Sequence, residues 1–382
     1  MKKIVIAPDS FKETLSALDV AHTIAEAMRP LLPGVELVEV PVADGGEGTL
    51  DALVDATGGT RHQFLVLGPL GEQVNAVWGM LGDGKTAVIE MAAASGIALV
   101  PAAQRNPLVT STEGTGQLIR AALDSGARHF ILAIGGSATN DGGTGMLRAL
   151  GARFLDAAAQ DLPVGGAALT RLERIDLTGF DARIAECNFE IACDVDNPLT
   201  GPRGASAVFG PQKGATPDMV AKLDQALGNY ARVIREQLGR DVESAPGAGA
   251  AGGMGAASLA FFNGKLRRGV DIVLDACSLE SILADADLVI TGEGRLDGQT
   301  IFGKTPIGVA KLAKRFNLPV IAIGGCLRED VDVVHQHGID AVFDCVHKAM
   351  PLEEALAGAH DNLARVARNI AATLALKTKH SG

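Results

Sequence analysis

Three apolar runs in this sequence end in glycines mixed with acids. Residues 38–42 lead into Ala43-Asp44-Gly45-Gly46-Glu47-Gly48, 130–134 into Gly135-Gly136-Ser137-Ala138-Thr139-Asn140-Asp141-Gly142-Gly143, and 287–291 into Gly292-Glu293-Gly294-Arg295-Leu296-Asp297. Glycines let backbone N–H groups come close to an anion, and neighbouring carboxylates suit the divalent cation that travels with a nucleotide. Further acids follow other apolar runs: Asp9 in Asp9-Ser10-Phe11-Lys12, and Asp194 with Asp196 in Cys193-Asp194-Val195-Asp196-Asn197. Any one of these is an ordinary cap or turn residue. Gathered at strand ends beside Lys12, Lys213, Arg295 and Lys304, they form the inventory of phosphoryl transfer. That chemistry needs positive charge on the phosphates, carboxylates for Mg²⁺, and a base or orienting group for the accepting hydroxyl.

Other strings are weaker. Gly298 to Thr305 matches G-x-x-x-x-G-K-[ST], but Gly292 to Asp297 separate it from the end of the preceding apolar run, whereas a P-loop leaves its strand directly. The milder expectation is that Lys304 and a helix starting at Pro306 face a phosphate. Gly247 to Gly252 matches G-x-G-x-x-G after Ser244-Ala245-Pro246, not after a strand, and is expected to be a flexible connection. No G-x-S-x-G elbow is present.

The elements that must carry these residues divide in two. At 382 residues and 47% apolar composition the chain is long enough for two cores of about 100–200 residues each. A net charge of −11 argues against nucleic acid and against an anionic membrane surface. The N-terminus reads as a first strand, so a cytoplasmic protein without a membrane role is expected. Five scattered cysteines without a C-x-x-C pair read as reduced thiols.

Residues 3–7 read as a strand. Ser16 and Asp19 cap a helix with apolar positions at Val20, Ala21, Ile24 and Met28, and a second strand and a short helix follow. From about Gln63 the texture becomes an antiparallel meander. The parallel pattern returns near Asp287, with a helix over 306–315, a strand over 320–323 and a helix over 352–376. The insertion adds helices at 110–125, with Thr110 and Glu113 as a capping box, at 144–150 and at 216–238. The expected architecture is therefore a discontinuous α/β parallel-sheet domain, 1–62 with 278–382, around an inserted mixed α/β domain, 63–277, with the active site in the cleft between them.

The strings at Ala7 to Lys12, Ala43 to Gly48, Gly135 to Gly143, Cys193 to Leu199 and Thr291 to Asp297, in that order, resemble the bacterial type I glycerate kinases along the whole chain. The resemblance implies a flavodoxin-like domain with an insertion. It also implies ATP-dependent phosphorylation of D-glycerate, usually at the 2-hydroxyl, in glyoxylate, glucarate or galactarate catabolism, with Mg²⁺ as cofactor. On that basis Asp194 or Asp196 is assigned to the glycerate hydroxyl as base or orienting group, and Arg295 with Lys12 to the glycerate carboxylate or transferring phosphoryl group. Asp9, Ser10, Asp44, Gly45, Gly46, Glu47, Asn197 and Asp297 are assigned to substrate. Gly135, Gly136, Ser137, Thr139, Asn140, Asp141, Gly142, Gly143 and Lys304 are assigned to ATP, and Asp194 and Asp297 to the metal. A nicotinamide-dependent hydroxy-acid dehydrogenase and a non-catalytic nucleotide or sugar-acid sensor are the alternatives. The sequence leaves regiochemistry, the identity of the base and a homodimer open.

Overall fold

The computed structural model describes residues 1–378 and divides into two compact units. One comprises Met1–Asp44, Asp51–Gly58 and Val270 onward, and the other Gly45–Leu50 and Gly59–Gly269. The strands run in chain order as β1 (Lys3–Ile6), β2 (Glu36–Glu39), β3 (Thr60–Leu67), β4 (Gln73–Met80), β5 (Thr86–Glu90), β6 (His129–Ala133), β7 (Arg153–Leu155), β8 (Arg174–Asp176), β9 (Asn188–Ala192), β10 (Lys265–Arg267), β11 (Leu288–Leu296), β12 (Val320–Leu327) and β13 (Ala341–Asp344).

The first unit is a parallel sheet in the order β13-β12-β11-β1-β2. Renumbered within the unit this is 2-1-3-4-5, the flavodoxin-like order, whose topological switch point lies between the first and third strands. Here those are β1 and β11, so the residues after β1 and along β11 stand where such sheets bind ligands. The strands are nearly continuous apolar runs because helices cover both faces. Ile4, Ile6, Val20, Ile24, Ile290, Ile323, Leu363 and Ile370 form one core cluster. The helix Ala17–Met28 has the expected capping box, with Ser16 Oγ accepting from the Asp19 N–H.

The second unit is a mixed six-stranded sheet in the order β10-β9-β6-β5-β4-β3, with β7 and β8 as a separate hairpin. The meander read from the sequence is the antiparallel run β3-β4-β5, after which β5, β6, β9 and β10 are parallel. Glu90 pairs with Ala133 and Ala133 with Ala192, so the carboxyl ends of β5, β6 and β9 are level. Level ends bring Glu90, Gly135 and Asp194 to one edge of the sheet. Its core holds Trp78, Phe130, Phe154, Phe189 and Tyr230.

Four local expectations are corrected. The turn expected from Gly292 is strand: β11 continues to Leu296, pairing Gly292 with Ile323 and Arg295 with Cys326. A side chain at Gly292 would meet the Ile323 carbonyl at 2.2 Å, so glycine here serves close strand approach instead of a turn. The helix expected over 352–376 breaks at Gly358 into Leu352–Ala357 and Ala359–Thr378. Thr110 is not a helix cap: the helix begins at Glu113, and Thr110 Oγ1 donates to the Ala138 carbonyl. Gly247 to Gly252 is a packed segment and not a loose connection. Gly252, at φ +66°, lies so close to the loop after β6 that a Cβ would sit 2.1 Å from the Thr139 carbonyl, and its own carbonyl accepts from the Gly142 N–H.

Candidate active site

In the first unit the site residues gather around the ends of β1 and β11. Asp9 follows β1, its N–H donating to the Gly292 carbonyl at 2.8 Å. Its carboxylate accepts from the Ser10 N–H at 2.6 Å and from Thr305 Oγ1 at 2.5 Å. Burial pushes the Asp9 carboxyl up to about 6; the negative charges of Asp44 and Glu293 push the same way, while the Thr305 hydroxyl holds it back. Glu293 accepts from Thr300 Oγ1 at 2.8 Å and from Lys304 Nζ at 3.1 Å. Its carboxyl is also raised by burial, with Lys304 opposing. Asp297 faces Arg295 Nε at 3.0 Å and Lys304 Nζ at 3.9 Å. Lys304 stands at the N-cap of the helix Thr305–Lys314, so ammonium and helix N-terminus point the same polarity at one place. Lys12 is exposed and, with Gly294 and Gly325, lines a largely apolar cavity of about 290 Å³.

These groups form an alternating array of acids and bases: Asp9, Asp44, Glu293 and Asp297 against Arg295 and Lys304. Gathered carboxylate oxygens suit a hard cation such as Mg²⁺. Among the described residues no three or more His, Cys, Asp or Glu side chains form a complete metal cage. Mg²⁺ characteristically uses one or two carboxylates and takes its remaining ligands from phosphate and water.

In the second unit the predicted residues part into two groups. Gly46, Glu47, Glu90, Gly135 and Gly136 line a cavity of about 460 Å³. Gly135 and Gly136 are exposed, and a Cβ at Gly135 would meet nothing within 4 Å, so bare backbone faces this space. Glu90 Oε1 accepts from the Leu50 N–H at 2.9 Å. Gly45, at φ +91°, packs against Gly269, where a Cβ would come within 2.3 Å of the Gly269 Cα. Asp194 is exposed and accepts from the Gly269 N–H at 3.2 Å; Asp196 is exposed and paired with Arg203 at 2.9 Å; Asn197 donates to the Arg203 carbonyl at 2.7 Å.

Thr139, Asn140, Asp141, Gly142 and Gly143, by contrast, are buried. Asp141 Oδ2 accepts from the Thr112 N–H, Thr112 Oγ1 and the Gly145 N–H, and Oδ1 from the Gly143 N–H. Burial raises its carboxyl while these four donors pull it down. Asp141 thus ties the start of the helix Thr144–Ala149 to the start of the helix Glu113–Asp124, and its side chain is fully engaged within the protein. Lys304, grouped with this loop by the sequence reading, belongs to the other unit.

Sequence reasoning missed Glu90, Thr300 and Thr305 as site residues and left Glu293 and Lys213 unassigned. Glu90 had a signal of the kind already used, an acid closing an apolar strand. Thr300 and Thr305 act through hydroxyls on carboxylates distant in sequence, which no local pattern reveals.

The glycerate kinase family model matches residues 4–375. The chain belongs to the glycerate kinase family. It is 56% identical over 380 residues to glycerate 2-kinase of Escherichia coli, covering 100% of both chains, and 56% identical over 374 residues to glycerate kinase of Bacillus subtilis, covering 98% of each. It also superposes on the crystal structure titled as a glycerate kinase 2 from Salmonella typhimurium with a TM-score of 0.92 and 56% identity, over 99% of each chain. Among the described residues neither glycine string forms a dinucleotide turn: Gly292-Glu293-Gly294 lies within β11, and Gly247 to Gly252 does not follow a strand. The dehydrogenase alternative therefore has no structural support. Among the described residues no helix is long and apolar enough to cross a membrane.

Proposed function

We propose that this protein transfers the γ-phosphoryl group of ATP to D-glycerate, at the 2-hydroxyl, giving 2-phosphoglycerate and ADP. The observation that carries the reading is the full-length 56% identity to a protein named glycerate 2-kinase. The array around β1 and β11 supports it chemically, because it supplies both the cations and the carboxylates that this transfer requires.

In this reading Arg295 and Lys12 hold the glycerate carboxylate or the transferring phosphoryl group, and Asp194 or Asp196 accepts the hydroxyl proton as the oxygen attacks phosphorus. Asp9, Ser10, Asp44, Gly45, Gly46, Glu47, Asn197 and Asp297 orient substrate. The exposed backbone at Gly135 and Gly136 faces the ATP phosphates, with Thr139 to Gly143 as the buried support of that loop. Mg²⁺, when bound, screens the phosphate charge, with Asp194 and Asp297 as its proposed ligands. A cytoplasmic location is part of the same proposal.

A coupled ADP-release assay with ATP, Mg²⁺ and D-glycerate, followed by phosphorus NMR of the product, tests it. A 2-phosphoglycerate signal is expected. A 3-phosphoglycerate signal would overturn the site of transfer, and binding of ATP without turnover would favour the sensor.

A further inference from the structure

Lys213 is a lysine with 1% of its surface exposed, in a class of residue almost never fully buried without a partner carboxylate. Among the described residues it has none within ion-pair distance. Its Nζ donates to Ser137 Oγ at 2.7 Å and to the Thr139 carbonyl at 2.6 Å, both on the loop after β6. The chain is shaped to deliver it there. Lys213 ends the short 3₁₀ turn Pro211–Lys213, and Gly214 follows at φ +90°, where a Cβ would clash with the Arg105 carbonyl at 2.5 Å.

We propose that Lys213 is a positioning residue for ATP: from inside the unit its ammonium fixes the Gly135–Thr139 backbone and supplies the positive charge that a phosphate group meets at Gly135 and Gly136. The inference rests on the reading of that loop as the phosphate site. The opposite side of the loop is pinned by backbone bonds, Ile97 N–H to the Gly136 carbonyl at 2.8 Å and Ala138 N–H to the Ser95 carbonyl at 2.9 Å, so the two lysine bonds complete its immobilisation. Glu47 and Glu90 line the same cavity and would repel phosphate, a repulsion that a cation behind the loop offsets. Burial pushes the Lys213 ammonium down to about 7, opposed by Asp141. The backbone of Arg105 packs across the following Gly214. An unpaired buried cation is costly to maintain, and an anion at the adjacent exposed backbone relieves that cost.

The test compares wild type with Lys213→Met, Ser137→Ala and Gly135→Val from pH 6 to 9, with thermal melts to verify folding. Lys213→Met should raise the KM for ATP about tenfold or more below pH 7. It should leave kcat and the KM for glycerate within about twofold. Its difference from wild type should shrink above pH 8, as the wild-type lysine loses its proton. A pH-independent difference, or a change in the glycerate KM instead, would overturn the proposal. If Lys213→Met does not fold, nitrogen-15 NMR of the wild-type Lys213 Nζ decides: ATP must raise its titration midpoint by about one pH unit or more, because proton and phosphate assist each other reciprocally. An unmoved midpoint overturns it. Gly135→Val separates the two readings. An unchanged ATP KM there refutes the loop as phosphate site, whereas a raised one with Lys213→Met silent refutes only the role of Lys213.

Discussion

The loop after β6 and the distal half of β11 are both written in glycine and acid, yet they use their carboxylates in opposite ways. Asp141 is fully buried and accepts four hydrogen bonds from Thr112, Gly143 and Gly145, so it holds helix starts in place. Glu293 accepts from Thr300 and Lys304, and Asp297 pairs with Arg295 while accepting one backbone N–H, from Gln299; most of these partners are side chains that can exchange those bonds for a substrate's. The distinguishing feature is the balance of donors: three backbone N–H groups fix Asp141, while Glu293 and Asp297 lean chiefly on side chains that can turn to a ligand. An acidic glycine string is therefore only a candidate ligand site until its partners are known.

The sharpest way to break this comparison is to remove Asp141. Asp141→Ala leaves several buried N–H groups without acceptors and should cost roughly 3–5 kcal/mol of stability, read as a lowered urea midpoint. Gly142→Ala in the same loop should cost about 2–3 kcal/mol, since φ is +65° and the new Cβ would press on the Tyr230 ring at 2.8 Å. If Glu293→Gln lost as much stability as Asp141→Ala, the division between structural and functional acids would be wrong.

Asp9 should behave in the reverse sense. Its carboxyl is raised to about 6 in the folded protein. Between about pH 4 and 6 the unfolded chain has released this proton and the folded one has kept it, so stability falls as pH rises through that window. Above it the penalty is complete. Asp9→Asn removes that penalty and should stabilise the protein at pH 7 by on the order of 2–3 kcal/mol, while kcat falls sharply. Urea unfolding at pH 7 checks the first arm, and the coupled assay the second. A destabilised variant would mean that Asp9 is a structural acid like Asp141.

Arg295 sharpens the functional half. Its side chain is half exposed and aligned on Asp297, so Arg295→Lys should leave the melting temperature unchanged. Loss of the planar fork should lower kcat/KM for glycerate by about tenfold to a hundredfold. An unchanged kcat/KM would remove Arg295 from the reaction.

How much of this was legible in the sequence follows from the range of the forces involved. Parallel-strand texture, the Ser16 cap and the β3-β4-β5 meander are local, and they were readable from periodicity and turn chemistry. Which glycines open a turn was not. Gly292 and Gly252 exist because another backbone comes within contact of them, and that partner is distant in sequence. The acids were readable as strand-end residues, but their roles were not, because the buried setting of Asp141 depends on a helix start at Thr112 and that of Asp9 on Thr305. Lys213 lay in no motif, and its meaning comes only from the 137–139 loop folded against it.

The finest test lies within one loop. Gly135 and Gly142 are both glycines of the same string, but a Cβ at Gly135 meets nothing within 4 Å and its φ is not left-handed. Gly135→Ala should therefore change stability by no more than about 0.5 kcal/mol. Any effect must appear instead at the cavity that Gly135 lines, as a rise in the KM for ATP of about twofold to fivefold from the methyl group crowding the backbone approach. Steady-state kinetics beside a urea melt distinguishes the outcomes. A stability loss like that of Gly142→Ala would show that the whole loop is scaffold, and would move the phosphate-binding assignment off Gly135 and Gly136.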